Sequence, residues 1–312
     1  MERKLNTLMD SFLDYLTIEK NCSKLTVRNY SHYLKTFFDY LNNILNKEEI
    51  DLSDLTIDNI RKFRIYLSRQ KGRNGEMKSV TQGYYVIALR SFLKWMVKND
   101  IKSVAPEKLE VPRNKEHSLK FLNAEQMERL LNQPILSTKI GLRDRTILEL
   151  LYSTGLRVSE LTSLNRSQIN LKTREFGIIG KGGRSRVVFI SKQAVNFLER
   201  YLLTREDGYK PLFIRALRNH DIVSSDEKVR LSVRSIEKIV NKYVRQAKLP
   251  ILATPHTLRH SMATDLLRAG ADLRSVQEIL GHKNISTTQI YTHVTDARLR
   301  EIHDKFHRVN KN

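Results

Sequence analysis

Apolar side chains in the first hundred residues recur at the three- and four-residue spacing of buried helical faces. One face contains Leu5, Leu8, Met9, Phe12, Leu13 and Leu16. A second contains Tyr30, Leu34, Phe37, Phe38 and Leu41. A third contains Leu89, Phe92, Leu93 and Met96. Residues 51–70 predict a short helix with Thr56 as a candidate N-cap. The pattern therefore predicts a helical N-terminal domain over residues 1–111.

The pattern changes after this region. Residues 70–79 are basic and contain glycine, which indicates either a solvated loop or a phosphate contact. Residues 112–120 are polar, include Pro112 and lack apolar periodicity, as is typical of an interdomain linker. Helical spacing returns at residue 123 and continues to Gly155, where it breaks.

The period changes again between residues 175 and 191, where two β-rich segments flank a glycine-rich turn and predict a hairpin. From Leu231 onward the pattern is helical. We therefore predict a mainly α protein with a small β-sheet and two domains, in which residues 121–295 form a mixed α/β domain and residues 296–312 form a tail helix.

The charge balance points to a polyanionic partner. Of the 312 residues, 55 are Lys or Arg and 34 are Asp or Glu, which gives a net charge of +21 and an isoelectric point near 10.0. Nucleic acid is the commonest partner of so basic a chain. A charge that serves only solubility, or nonspecific RNA binding, is the alternative.

Other features of the composition are consistent with a cytoplasmic protein. The sequence contains no apolar run of about 18 residues that could span a bilayer, so no membrane partner is expected. The single cysteine, Cys22, excludes an intrachain disulfide. We therefore expect a reducing, cytoplasmic location.

The segment "TPHTLRH" (254–260) is the sharpest local motif. Thr254 is suited to cap a helix, and Pro255 is suited to its first position because proline has no backbone N–H to lose. His256 would lie in the first turn, where unpaired N–H groups and the helix dipole attract phosphate. Arg259 follows on the same face, so the two side chains could hold one phosphate. An ordinary surface helix is the alternative.

The histidines and glycines do not favour a metal or nucleotide cofactor. His256 and His260 have the spacing of a zinc-binding pair, but no glutamate lies between them and Arg259 would repel a cation. The segment "GKGGRSR" (180–186) lacks the spacing of a phosphate-binding P-loop. We expect neither a metal nor a cofactor.

Six side chains together suit metal-free attack on a phosphodiester: Arg157, Lys181, His256, Arg259, His282 and Tyr291. The arginines would neutralise charge that develops on the non-bridging oxygens. The lysine could protonate the leaving oxygen, and the tyrosine could be the nucleophile. Free tyrosine has a pKa of about 10, so it needs such cationic surroundings to react.

Three segments carry a family resemblance: "RDRTILELLYSTGLRVSEL" (143–161), "GKGGRSR" and the stretch from Thr254 to Val294. They resemble the tyrosine recombinases, most nearly the Xer branch. The N-terminal region is similar to the family's helical core-binding, SAM-like domain. Met262 and Asp265 depart from the family pattern, where relatives often carry Phe and His.

The resemblance implies roles for individual residues. Arg157 and Arg259 would be the two catalytic arginines, and Lys181 would be the general acid for the 5′-hydroxyl. His256 and His282 would be the two histidines, of which His282 would bond the scissile phosphate. Tyr291 would form a 3′-phosphotyrosyl link. Glu160 would help to orient the site.

The resemblance also implies a site-specific recombinase that cleaves and rejoins duplex DNA through a Holliday junction, as in chromosome or plasmid dimer resolution. Such enzymes need neither metal nor ATP. They act as tetramers on two DNA sites with inverted repeats, in some cases with a paralogous partner. Three alternatives stay open: an integrase or transposase of a mobile genetic element, a type IB topoisomerase, and a DNA-binding protein without catalysis.

The tail leaves one further alternative open. Leu299, Ile302 and Phe306 form an apolar stripe within residues 296–312. The tail could pack on its own domain, or it could dock in trans on a neighbouring protomer, as the resemblance implies.

Overall fold

The computed structural model describes residues 4–72, 75–112, 120–180, 185–216 and 225–281. The chain divides into two compact units, Met1–His117 and Ser118–Asn312. In the ranges described, no helix is both long enough and apolar enough to cross a membrane. Most of the expected linker, residues 113–119, lies outside the described residues, so its boundaries stay a prediction.

The first unit is helical, as its apolar periodicity predicts. Its α-helices are α1 (Leu5–Ile18), α2 (Lys24–Leu45), α3 (Ile57–Arg69) and α4 (Ser79–Lys98). Short 3-10 helices span Leu52–Asp54 and Pro106–Lys108. Thr56 caps α3, as predicted, because its side chain accepts a hydrogen bond from the backbone N–H of Asn59.

Aromatic and leucine side chains fill the core of this unit. Leu5, Leu8, Phe12 and Leu16 of α1 are buried, as the spacing predicts, whereas Met9 and Leu13 are only partly buried beside them. The rings of Phe12 and Phe92 lie 5.4 Å apart, edge to face, and join α1 to α4.

The stretch 70–79 forms more than a loop. Residues Lys71–Gly72 (β1) and Gly75–Glu76 (β2) pair antiparallel, with Lys71 opposite Glu76. Strands of two residues are too short to show an alternating pattern, so the sequence gives no sign of them.

The second unit combines eight α-helices, among the residues described, with a two-stranded sheet. Before and within the sheet region lie α5 (Ala124–Leu131), α6 (Lys139–Thr154), α7 (Val158–Ser163), a 3-10 helix (Arg166–Gln168), β3 (Glu175–Ile179) and β4 (Ser185–Phe189). After it lie α8 (Lys192–Leu203), α9 (Asp226–Val229), α10 (Val233–Gln246), α11 (Pro255–Ala269) and α12 (Leu273–Leu280). The predicted fold class, mainly α with a small sheet, is confirmed.

The predicted hairpin is also confirmed. β3 and β4 pair antiparallel, and Phe176 lies opposite Val188 with both side chains buried. Glu175, Gly177 and Ile179 alternate with the buried positions and are exposed. One face of the hairpin therefore packs on the unit's core, which fixes the strand register.

Helix α6 runs through the centre of the second unit and is buried on nearly every side. Four of its buried side chains are charged: Arg143, Asp144, Arg145 and Glu149. They pair as Arg143 with Asp144 at 2.7 Å and as Arg145 with Glu149 at 2.8 Å. Because buried charges need partners, these pairs allow the helix to lie in the interior and to present its C-terminal end to α11 and α12.

Candidate active site

Helices α6 and α12 end at the same guanidinium group. Arg259 is 2% exposed, and its Nη1 and Nη2 donate to the carbonyl oxygens of Gly155 and Leu280, the latter at 2.6 Å. The last carbonyls of a helix have no partner within it and carry partial negative charge. A cation at this point therefore satisfies two helix ends at once.

Both helices end in a left-handed glycine. Gly155 has a φ of +58° and Gly281 a φ of +65°. This conformation is strained for other residues, and it ends each helix sharply. As a result Arg157 lies two residues after Gly155, and residue 282 directly follows Gly281.

Helix α11 begins as the sequence predicts. The Thr254 hydroxyl accepts a hydrogen bond from the backbone N–H of Thr257, and Pro255 takes the first helical position. His256 lies exposed in the first turn, and its ring is 4.3 Å from that of His260. The start of α11 therefore places an exposed imidazole one turn before Arg259.

Both imidazoles favour the neutral form. Packing of neighbouring atoms lowers the pKa of His256, and the positive charges of Arg259 and Arg157 lower it further. Burial lowers the pKa of His260 to about 4, with help from His256 and Arg259. At neutral pH His256 can therefore donate or accept a hydrogen bond without adding charge to the site.

Glu160 is shared by two arginines. Its carboxylate accepts from Arg157 Nη1 at 2.8 Å, from the Arg157 backbone N–H at 2.9 Å, and from Arg186 at 2.9 and 3.1 Å. Burial alone would raise the pKa of this carboxyl, but the hydrogen bonds from Arg186 and Arg157 outweigh burial and hold the pKa below its usual value. Glu160 is therefore a fixed negative charge that orients the Arg157 side chain, which is 34% exposed.

Arg186 belongs to this arrangement, although it was not among the residues expected at the site. A Cβ atom on Gly281 would lie 2.8 Å from Arg186 Cδ, so β4 and the end of α12 approach each other very closely here. Arg186 links the hairpin to the start of α7 and contacts the glycine that precedes His282. A second basic residue in "GRSR" was a visible signal, but its partner Glu160 lies 26 residues away.

Four of the seven residues expected at the site lie in the described ranges. The structure brings together Arg157, His256 and Arg259, and the charges of the two arginines lower the pKa of His256. It also places Glu160 beside Arg157. Lys181, His282 and Tyr291 lie outside the described residues, so their positions stay predictions.

The burial of the Arg259 side chain differs from what the spacing of the motif "TPHTLRH" suggests on its own. An exposed clamp formed by His256 and Arg259 would need both side chains at the surface, but Arg259 is buried. The physical reason is that the carbonyl oxygens at the ends of α6 and α12 each accept a hydrogen bond from one of its terminal nitrogens and hold the group in the interior. Across the described ranges, no three or more His, Cys, Asp or Glu side chains are grouped so that they could hold a metal ion.

Comparison with known protein families covers both units. Residues 120–298 match the model of the phage integrase family, and residues 9–100 match the model of the phage integrase N-terminal SAM-like domain. All of the residues placed around Arg259 and Glu160 fall within the first match.

Individual relatives match almost end to end. The tyrosine recombinase XerD of Listeria monocytogenes serovar 1/2a is 38% identical over 304 residues, which are 97% of this chain and 99% of the relative. The tyrosine recombinase XerC of Pelotomaculum thermopropionicum is 37% identical over 96% of this chain and 97% of its own. A crystal structure of the XerH site-specific recombinase bound to palindromic difH substrate, a post-cleavage complex, has 25% identity and a TM-score of 0.68, over 91% of this chain and 80% of that one.

Proposed function

Since the chain belongs to the phage integrase family and is a tyrosine recombinase of the Xer type, we propose that it cuts and rejoins duplex DNA through a covalent link to Tyr291. The observation that carries this proposal is the placement of Arg157, His256 and Arg259 around the ends of α6 and α12. Two guanidiniums and a neutral imidazole match the needs of a phosphodiester whose non-bridging oxygens gain charge during reaction.

The chemistry is an exchange of phosphoester bonds. The Tyr291 phenolic oxygen attacks the scissile phosphorus and passes its proton to the neutral imidazole of His256, a 3′-phosphotyrosyl bond forms, and the bond to the 5′-oxygen breaks. Lys181 supplies the proton that the leaving 5′-oxygen takes up, and His282 donates a hydrogen bond to the phosphate. Attack by a 5′-hydroxyl of a second strand reverses these steps, so the bond energy is kept and neither metal nor nucleotide is consumed.

The DNA partner follows from the same similarity together with charge. The solved XerH complex contains a palindromic substrate, and the +21 charge of this chain suits contact with DNA phosphates. We therefore assign to this chain a duplex site with inverted-repeat arms. A homotetramer on two such sites, alone or with a paralogous recombinase, would exchange strands through a Holliday junction.

We propose chromosome or plasmid dimer resolution in the cytoplasm as the biological role of this Xer-type recombinase. An integrase of a mobile element would use the same chemistry on a different DNA site. The two roles are distinguished by whether the preferred site lies in the host chromosome or at the ends of a mobile element.

Covalent trapping on DNA tests the proposed chemistry. A duplex site is first selected from a random library with the wild-type protein, and a nick is then placed beside the scissile phosphate so that cleavage cannot be reversed. Wild-type protein should form a protein–DNA adduct on a denaturing gel, in the presence of EDTA as well. Tyr291→Phe should bind the site equally well and form none, because only the nucleophilic oxygen is lost. An adduct with Tyr291→Phe would refute the assignment.

A further inference from the structure

A tyrosine and an aspartate join α6 to α11 beside the candidate active site. The hydroxyl of Tyr152 donates to Oδ2 of Asp265 at 2.7 Å, across 113 residues of sequence. Both side chains are half-buried, and a hydrogen bond to a carboxylate is stronger and more directional than one between neutral groups. This tyrosine–aspartate pair (Tyr152 and Asp265) therefore provides a directional polar contact between the two helices.

The pair lies close to the groups that the reaction needs. Tyr152 is in the last turn of α6, three residues before Gly155, whose carbonyl oxygen accepts from Arg259. Asp265 is on the same helix as Arg259 and His256. A slide of α6 along α11 would therefore change the separation between Arg157, which follows α6, and Arg259.

Apolar packing at this contact includes an adaptable side chain. Tyr152 packs against the main core of the unit and also against a separate small cluster formed by α11 and α12. In that cluster the thioether of Met262 lies 3.3 Å from the position that a Cβ atom on Gly155 would occupy. Methionine is unbranched and adapts to small shifts, so this side chain does not by itself define the position of α6 along α11.

The proton of the pair stays on the tyrosine. Burial raises the pKa of Tyr152, and the hydrogen bond and the charge of Asp265 raise it further, so the hydroxyl remains a donor at physiological pH. Arg268 is the positive group that acts on Asp265, and Glu149 is a second acidic group that acts on Tyr152.

We propose that the hydrogen bond between Tyr152 and Asp265 is a positioning device that sets the separation of Arg157 and Arg259 for strand cleavage. Neither residue touches the phosphate. The role rests on the proposed function, because it acts through the two arginines assigned to the transition state.

The chain offers a matched control for this pair. Tyr243 of α10 donates to Asp144 of the same helix α6 at 3.0 Å, and burial raises the pKa of its hydroxyl too. This second pair lies toward the N-terminal half of α6, away from Gly155. Tyr152→Phe and Tyr243→Phe thus remove the same hydroxyl from the same kind of contact, near the site and far from it.

The experiment measures single-turnover cleavage of the nicked DNA site at saturating protein, the dissociation constant for DNA, and thermal unfolding. Tyr152→Phe should slow cleavage by about tenfold or more, since small misplacements of catalytic groups have effects of that size. Its affinity for DNA should stay within about twofold of wild type, and a 5′-thiolate leaving group should not restore its rate, because the defect is not in proton donation. Tyr243→Phe should lower the melting temperature comparably and leave the cleavage rate unchanged.

Two further variants keep the test decisive. Asp265→Asn still offers an oxygen acceptor and should cleave close to the wild-type rate, whereas Asp265→Ala should reproduce the Tyr152→Phe defect. Wild-type cleavage by Tyr152→Phe, or equal slowing by Tyr243→Phe, would overturn the positioning role. Absence of any adduct with wild-type protein would instead refute the proposed function.

Discussion

Arg186 holds the carboxylate of Glu160 through two hydrogen bonds of 2.9 and 3.1 Å. The same carboxylate also receives the side chain and the backbone N–H of Arg157. The orientation of one proposed catalytic arginine is thus tied to a second arginine on the hairpin. Glu160 is 8% exposed, so solvent screens these contacts little.

Glu160→Gln should slow cleavage by roughly tenfold to a hundredfold and lower stability by about 2 kcal/mol, because the largely buried Arg186 and the partly exposed Arg157 lose the negative charge that they share. Single-turnover cleavage and urea unfolding measure the two effects. Asp144→Asn is the control: Asp144 is also buried and is paired with Arg143, away from Arg157. It should lose stability without a defect in cleavage, and slowing of the same size in both variants would contradict the role of Glu160.

Gly281→Ala should disturb Arg186. The left-handed backbone alone costs a non-glycine residue about 1 kcal/mol, and the added Cβ would lie 2.8 Å from Arg186 Cδ. Because Glu160 holds the guanidinium, the side chain cannot move away without loss of that contact. We expect lower stability together with slower cleavage.

Gly75→Ala provides the comparison for Gly281→Ala. Gly75 also has a positive φ, +110°, but a Cβ there would meet nothing within 4 Å. This variant should show only a loss of stability. If Gly281→Ala is fully folded and cleaves DNA at the wild-type rate, displacement of Arg186 does not affect cleavage.

His260 should make the second unit less stable in mild acid. The pKa of His260 falls from 6.5 to about 4 on folding, so the unfolded chain binds more protons between these pH values. Its contribution to stability is therefore complete above about pH 6.5 and is lost as the pH falls toward 4. Between pH 7 and pH 5 we expect a loss of about 1 kcal/mol, reduced from the full linkage value because the ring is partly solvated.

Comparison of wild type with His260→Gln isolates this effect, since other groups titrate alike in both. The difference between their unfolding free energies should shrink from pH 7 to pH 5 and stay constant from pH 7 to pH 8. A pH-independent difference would contradict the lowered pKa.

Lys181→Ala should slow cleavage by about a hundredfold or more, as expected for loss of a general acid. A substrate with sulfur in place of the bridging 5′-oxygen should restore the rate, because a thiolate leaves without a proton. Arg157→Ala should slow cleavage to a similar extent. Sulfur should not restore its cleavage rate, because this variant lacks stabilisation of the transition-state charge and not a proton donor. Failure of sulfur to restore Lys181→Ala would remove the lysine from the role of acid.

Removal of residues 296–312 distinguishes the two tail arrangements. If the stripe of Leu299, Ile302 and Phe306 docks on a neighbouring protomer, residues 1–295 should bind one DNA site normally and fail to pair two sites on a native gel. Each buried apolar side chain contributes roughly 1.5–3 kcal/mol to such a contact. A truncated protein that melts at lower temperature but pairs sites normally would show that the tail packs on its own domain.

Much of the fold could be predicted from local pattern. The faces of α1, α2 and α4, the caps Thr56 and Thr254, and the hairpin all follow from interactions within one or two turns, and each is present. The burial of the charged residues of α6 could not be predicted in this way. Their partners include the carbonyl oxygen of Ile214 and the hydroxyl of Tyr243, 71 and 99 residues distant.

The features of the candidate site also differ in whether local sequence predicts them. His256 in the first turn of α11 follows from the local motif "TPHTLRH". The burial of Arg259 does not, because the two helix ends that accept its hydrogen bonds meet only in the folded unit. Arg186 and the tyrosine–aspartate pair were missed for the same reason: each acts through a contact between segments that are remote in sequence.

The position of Arg259 affects how relatives without activity should be interpreted. A descendant that gives up strand cleavage no longer needs a nucleophile. It is not free to replace an arginine that closes two helices, because the domain would lose part of its framework. Retention of this arginine in a distant relative is therefore evidence for the architecture as well as for the reaction, and the inheritance of the reaction has to be judged from further residues.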